Sequence, residues 1–469
     1  MTAPTFAPAA GSLGSEPSCP TAAAALLPVT GADLQVPVVD GRSVRYANLD
    51  YAASAPALRA VAEHVTEVLP HYASVHRGAG YASQVSTALY ESTRRVVAGF
   101  VGARADDVVV ITRNTTDALN LLARCVPAGG EVVHLDVEHH ANLLPWKGLR
   151  HRCVRSAGTL AQTLQRLDDA LRERPAALVA ITAASNVTGE VVPVADVVRI
   201  AHARGARVVV DGAQYVPHRR IDLAACGADY LAFSGHKLYA PFGAGVLVGQ
   251  RDWLDAAPAH LAGGGAVREV GLDRTVWAPA PQRHEGGTPN VLGAAALAQA
   301  CRTLASLPSG ALERHEAHLV DRLIAGLSAL PGVEVLRIWP DSPDRVGVVG
   351  FTVAGRAPGR VAAYLSAEHG IGVRDGKFCA HPLLARLGHH EGALRASVGV
   401  GSTEEDVDRL VAALAGLLAE GESWTYALEA GRWQPCPDPR PAVGWLDLAS
   451  DLDPAAGADP AAGASPCEG

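Results

Sequence analysis

Arg207-Val208-Val209-Val210-Asp211-Gly212-Ala213-Gln214, followed by Tyr230-Leu231-Ala232-Phe233-Ser234-Gly235-His236-Lys237, decides the fold class of this chain. Each stretch opens as a short apolar run, the pattern of a strand buried on both faces, and closes on polar side chains. In open α/β sheets ligands bind beyond the carboxyl ends of the strands, which is where Asp211 and Lys237 fall. Working outward, further apolar runs at 108–111, 131–135 and 177–181 alternate with helical patterns. That alternation predicts an α/β fold built on a mostly parallel, doubly wound sheet.

A helical stretch over 291–330 leads out of this region. A strand at 346–353, a helix at 360–368, a strand at 395–400 and an amphipathic helix at 404–418 then predict a smaller C-terminal α/β domain. The expected layout is a flexible tail over 1–33, a large domain over 34–300, a small domain over 301–424 and an extension over 425–469. The tail is rich in Ala, Pro, Gly and Ser. Trp424, Tyr426, Trp433 and Trp445 predict some packing of the extension, and the Pro-Ala-Ala-Gly-Ala repeats of 453–464 predict disorder.

Lys237 is one of only three lysines among 40 basic residues, so an amine has been kept where arginine is the habit. Guanidinium stays charged, whereas a desolvated ammonium becomes a nucleophile able to form a Schiff base. Asp211, 26 residues upstream, is placed to pair with the pyridinium nitrogen of pyridoxal phosphate and so sustain that ring as an electron sink. Taken alone, Asp211 serves equally as a helix cap; its spacing to Lys237 favours the cofactor reading. Thr112-Arg113-Asn114-Thr115-Thr116-Asp117 stands between a strand-like run and a helical pattern. It reads either as a phosphate site at a helix start or as an ordinary cap, and Ser234 and His236 would add donors to the same phosphate.

Six stretches occur in order: Asn48-Leu49-Asp50-Tyr51-Ala52-Ala53, Glu138-His139-His140-Ala141-Asn142, Ser185-Asn186-Val187-Thr188-Gly189, Asp211-Gly212-Ala213-Gln214, Phe233-Ser234-Gly235-His236-Lys237-Leu238-Tyr239 and Arg283-His284-Glu285-Gly286-Gly287-Thr288-Pro289-Asn290. Together they resemble the class V aminotransferase group of fold-type I pyridoxal phosphate enzymes, most closely the Suf-type (group II) cysteine desulfurases and selenocysteine lyases. The resemblance spans roughly residues 40–420. It implies that Lys237 carries the cofactor and that His139 stacks on its ring. Asn186, Asp211 and Gln214 would touch the pyridine, and Thr115, Thr116, Ser234 and His236 would hold the phosphate. Thr288 would reach over from the second subunit of a homodimer. Arg395, with Arg374 and Asn186, would take the substrate carboxylate through a bidentate guanidinium fork.

The same resemblance makes Cys379, in Lys377-Phe378-Cys379-Ala380-His381-Pro382, the nucleophile that attacks the substrate sulfur and becomes a persulfide. Thiolate is the competent form, and the neighbouring Lys377 and His381 would favour it. Four positions depart from the family. Gly80 stands where a histidine is usual, Lys377-Phe378 replace a frequent histidine pair, and Asn114 replaces a glycine before the threonines.

The expected function is removal of sulfur or selenium from L-cysteine or selenocysteine, giving L-alanine and an enzyme persulfide, with a sulfur-acceptor protein as a possible partner. A class V aminotransferase or epimerase, or a C–S lyase, would use the same cofactor site; Gly80 favours the first of these. A net charge of −8 and a pI near 6.1 argue against a nucleic-acid partner. No apolar run is long enough to cross a membrane, and the alanine-rich start lacks the basic residues of a secretory signal. Eight scattered cysteines without a CxxC pair predict neither a metal site nor a disulfide framework, and so a cytoplasmic protein.

Overall fold

A computed structural model describes residues 24–76, 78–342 and 344–441. Its centre is a seven-stranded sheet in the order Val108–Thr112, Gly245–Gly249, Tyr230–Ser234, Arg207–Asp211, Leu178–Thr182, Glu131–Leu135 and Arg150–Val154. Gly245–Gly249 runs antiparallel to both of its neighbours, and the other six strands are parallel. The five strands of 108–112, 131–135, 178–182, 230–234 and 245–249 are buried along their whole length, as expected where helices cover both faces.

The two strands without a sequence signal have a physical reason for their silence. Arg150–Val154 is an edge strand, exposed over most of its length, so it carries no apolar run. Gly245-Val246-Leu247-Val248-Gly249 is short and bounded by glycines, which reads as a loop until two neighbours pair with it. The helical stretch of 291–330 is two helices, Val291–Ala305 and Ala311–Ser328, parted at Pro308 and at Gly310, whose φ is +75°.

A four-stranded antiparallel sheet follows in the order Val333–Val335, Val348–Val353, Ala393–Ser397, Arg374–Gly376. Leu319, Leu323, Leu410 and Leu414, on helices Ala311–Ser328 and Glu404–Ala419, fill its core. The segment expected to open the large domain packs here instead: Val39, Ala47 and Leu49 lie in this core, and Ala47–Asn48 pairs with Ile371–Gly372. Residues 39–49 therefore belong to the core of the small sheet. This register places residues 47–52 beside the strand that carries Arg395, with Ser397 N–H donating to the Leu49 carbonyl at 2.7 Å.

Part of the N-terminal stretch is more ordered than its composition predicts. Residues 24–33, assigned to a flexible tail, are docked: Leu27 N–H donates to the Val400 carbonyl at 3.0 Å, and Val29 bridges Leu58. The buried Val29, with the partly buried Leu26 and Leu27, packs them against the main core. The rest of that tail, and the repeats of 453–464, lie outside the described residues. Tyr426–Glu429 and Arg432–Pro435 form a hairpin against helix Pro358–His369. No helix among the described residues is long and apolar enough to cross a membrane.

Candidate active site

A cleft of about 380 Å³ lies at the carboxyl ends of the central strands, closed on one side by the small sheet. One end of it is a helix start. The Asn114 side chain caps helix Thr115–Ala123 by accepting from Asp117 N–H at 2.9 Å. The opposite chain closes in: a Cβ on Gly245 would stand 2.6 Å from Asn114 Cα, so only glycine lets that strand pass. Thr115 then turns its N–H and its hydroxyl to Ser234 Oγ, both at 2.7 Å. Thr116 and His236 line the same end, and burial, with Lys237 nearby, pulls the imidazole of His236 down to about 4.

Deeper in the cleft, Asp211 closes its strand and is buried. Its Oδ1 accepts from Ala213 N–H at 3.0 Å. Burial raises its pKa, and that N–H and the Lys237 ammonium oppose the rise. Burial lowers the Lys237 amine to about 8, Arg395 pushing the same way and Asp211 opposing. An amine so placed exchanges its proton near neutral pH. His139 lines the cleft with Nδ1 accepting from Ala141 N–H at 3.0 Å, and burial, reinforced by Lys237, drops it to about 3. The ring is therefore neutral, with its proton on Nε2. Gln214 donates to the Ala52 carbonyl at 2.8 Å, and its Oε1 is buried without a partner.

The remaining wall belongs to the small sheet. Arg395, on strand Ala393–Ser397, is buried, donating through Nη1 to the Asn186 carbonyl at 3.0 Å and through Nη2 to Asp50 Oδ1 at 3.1 Å. Its Nε has no partner. Burial lowers its pKa and Asp50 opposes this, but guanidinium stays charged. Cys379 follows strand Arg374–Gly376 in a tight turn, and its carbonyl accepts from His140 N–H at 2.8 Å. The His140 and His381 rings meet edge to face at 4.5 Å.

Thr115, Thr116, His139, Asn186, Asp211, Gln214, Ser234, His236, Lys237, Arg374, Cys379 and Arg395 all line this one cleft. Thr288 does not; it is exposed on the surface. Two contributors escaped the reading of the sequence. Asp50 stood in a quoted motif, but its partner Arg395 is 345 residues away. Phe378 gave no polar signal, although its ring lies 5.2 Å from the Arg395 guanidinium.

This donor set fits pyridoxal phosphate: hydroxyls and N–H groups at a helix start for the phosphate, a buried carboxyl for the ring nitrogen, an amine for the aldehyde and an unpartnered Gln214 oxygen. The sequence model described as Aminotransferase class-V matches residues 47–410. The chain belongs to the class-V aminotransferase family. Within this family it is similar to the cysteine desulfurase of Dickeya dadantii (strain 3937), 38% identical over 392 residues, which are 80% of this chain and 92% of that protein. The probable cysteine desulfurase 2 of Mycobacterium leprae is 39% identical over 72% of this chain and 83% of its own. Among solved structures, the cysteine desulfurase from Thermococcus onnurineus NA1 matches this class-V fold with a TM-score of 0.73 at 35% identity, over 80% of this chain and 94% of that one.

Proposed function

We propose that this class-V protein is a pyridoxal phosphate-dependent cysteine desulfurase, converting L-cysteine, or selenocysteine, to L-alanine and leaving a persulfide, or its selenium analogue, on Cys379. The observation that carries the reading is that Lys237, Asp211, Arg395 and Cys379 line a single cleft. When bound, pyridoxal phosphate withdraws electrons from the substrate Cα and makes that carbon acidic.

The chain's own residues supply the rest. Thr115, Thr116, Ser234 and His236 would hold the phosphate, and Asp211 would keep a proton on the ring nitrogen. The neutral His139 ring would stack on the pyridine, and Asn186 and Gln214 would touch it. Arg395, helped by Arg374 and Asn186, takes the substrate carboxylate; the unpartnered Nε is a donor free for it. Lys237, with a pKa of about 8, removes the Cα proton and returns a proton to carbon. Cys379 Sγ, as thiolate, attacks the substrate sulfur: an S–S bond forms, the Cβ–S bond breaks, and its electron pair stays on carbon, which is protonated to give alanine. Carbon is reduced as sulfur is oxidised, so no outside oxidant enters.

Thr288, exposed and outside the chain's own cleft, would complete the phosphate site of a second copy in a homodimer. A second thiol, on an acceptor protein, would then remove the persulfide sulfur. Six cysteines among the described residues are free, which supports a reducing compartment, the cytoplasm. The test is Cys379→Ala given L-cysteine. It should retain cofactor binding and lose persulfide formation, while wild type yields alanine and one persulfide per subunit at Cys379. Equal turnover of the two proteins would refute the desulfurase reading and favour an aminotransferase.

A further inference from the structure

Phe378 and Cys379 are consecutive and both left-handed, each with φ of 53°. Two side-chain-bearing residues in that region do not stay there unless their surroundings hold them. The Phe378 carbonyl accepts from Asn186 Nδ2 at 2.7 Å, and the Cys379 carbonyl accepts from His140 N–H at 2.8 Å. The Phe378 ring, 4% exposed, lies against the Arg395 guanidinium at 5.2 Å. Arg395 in turn donates to the Asn186 carbonyl at 3.0 Å. The three residues close a circuit: Arg395 holds Asn186, Asn186 holds Phe378, and the Phe378 ring returns to Arg395.

We propose that Phe378 is a positioning residue that couples carboxylate binding at Arg395 to the placement of the Cys379 thiol. The inference rests on the carboxylate role given above to Arg395. An anion at Arg395 competes with the aromatic face for the guanidinium charge, and the turn bearing Cys379 is attached to that face. By linkage, the placement of Cys379 then alters carboxylate affinity equally. The aromatic surface is the part that matters, since an aliphatic side chain of similar volume would fill the space without facing the charge with π electrons.

The experiment follows alkylation of Cys379 in the holoenzyme by iodoacetamide, with and without propionate, a carboxylate that has no amine to react with the cofactor. In wild type propionate should change the alkylation rate at least about fivefold. In Phe378→Leu that response should vanish, KM for L-cysteine should fall several-fold because the competing aromatic face is gone, and kcat should fall about tenfold as the thiol loses its placement. Phe378→Tyr should restore both values. Unchanged cofactor absorbance in each variant distinguishes this outcome from loss of fold. A propionate response in Phe378→Leu equal to that of wild type overturns the proposal, because direct shielding of the thiol would then account for it. Failure of the desulfurase reading registers separately, as undiminished turnover in Cys379→Ala.

Discussion

Arg395 and Asp50, 345 residues apart in sequence, meet at 3.1 Å between Nη2 and Oδ1 on the wall of the cleft. The arginine side chain is 4% exposed and the aspartate 25%. A charge this deeply placed is costly without a partner, and removing one member of such a pair strands the other. Asp50→Asn should therefore lower stability by about 2 kcal/mol. Added propionate should recover part of the loss by binding the stranded guanidinium, measured as a rise in Tm with ligand concentration. A variant as stable as wild type would show that the pair carries no weight.

The Lys237 amine has a pKa lowered to about 8, mainly by burial. Only its neutral form attacks an aldehyde, and near pH 7 that form is about one-tenth of the whole. Stopped-flow mixing of cofactor-free protein with pyridoxal phosphate should show a capture rate that rises nearly tenfold per pH unit below about 7 and levels above about 8. The sign follows from deprotonation, which a higher pH favours. A rate still climbing in the same proportion at pH 10 would mean that the amine is not perturbed.

Gly245→Ala puts a methyl group 2.6 Å from Asn114 Cα, against backbone that cannot swing away. Overpacking of this kind costs about 1–3 kcal/mol. Because Asn114 caps the helix whose start faces the cleft, affinity for inorganic phosphate and for pyridoxal phosphate should fall together with the urea midpoint. Loss of stability with unchanged affinity would separate the strand from the phosphate site.

Glu368 is buried and accepts from Ser423 N–H, Ser423 Oγ, Trp424 N–H and Tyr426 OH. The segment leading into the C-terminal hairpin is thus built on one carboxylate. Glu368→Ala leaves several donors without an acceptor and should destabilise the protein by about 3 kcal/mol, read from urea unfolding. Limited proteolysis should then cut first near residues 423–435, and an unchanged cleavage pattern would show that the hairpin is held by other contacts.

Much of the site was legible because its parts are local. A β-branched run ending on an acid at Asp211, an apolar run at 230–233 shortly before Lys237, and a hydroxyl-rich helix start at Thr115 each report on backbone within a few residues. The edge strand Arg150–Val154 was silent because exposure removes the apolar run, and the glycine-bounded strand Gly245–Gly249 because its length matches a loop. Residues 24–33 read as a tail because their docking depends on partners such as Val400 and Leu58, which lie elsewhere in the chain.

The sequence by itself determined the alternation of strands and helices, the carboxyl-end placement of Asp211 and Lys237 and the capped helix start, since periodicity, burial and capping act over one or two turns of chain. Tertiary structure alone decided that Asp50 neutralises Arg395, that Phe378 lies against the same guanidinium and that Ser234 ties off Thr115. Those contacts join segments more than a hundred residues apart in the cases of Asp50 and Ser234, and a turn to a strand in that of Phe378. Their geometry comes from packing two sheets around one cleft, which no local pattern encodes.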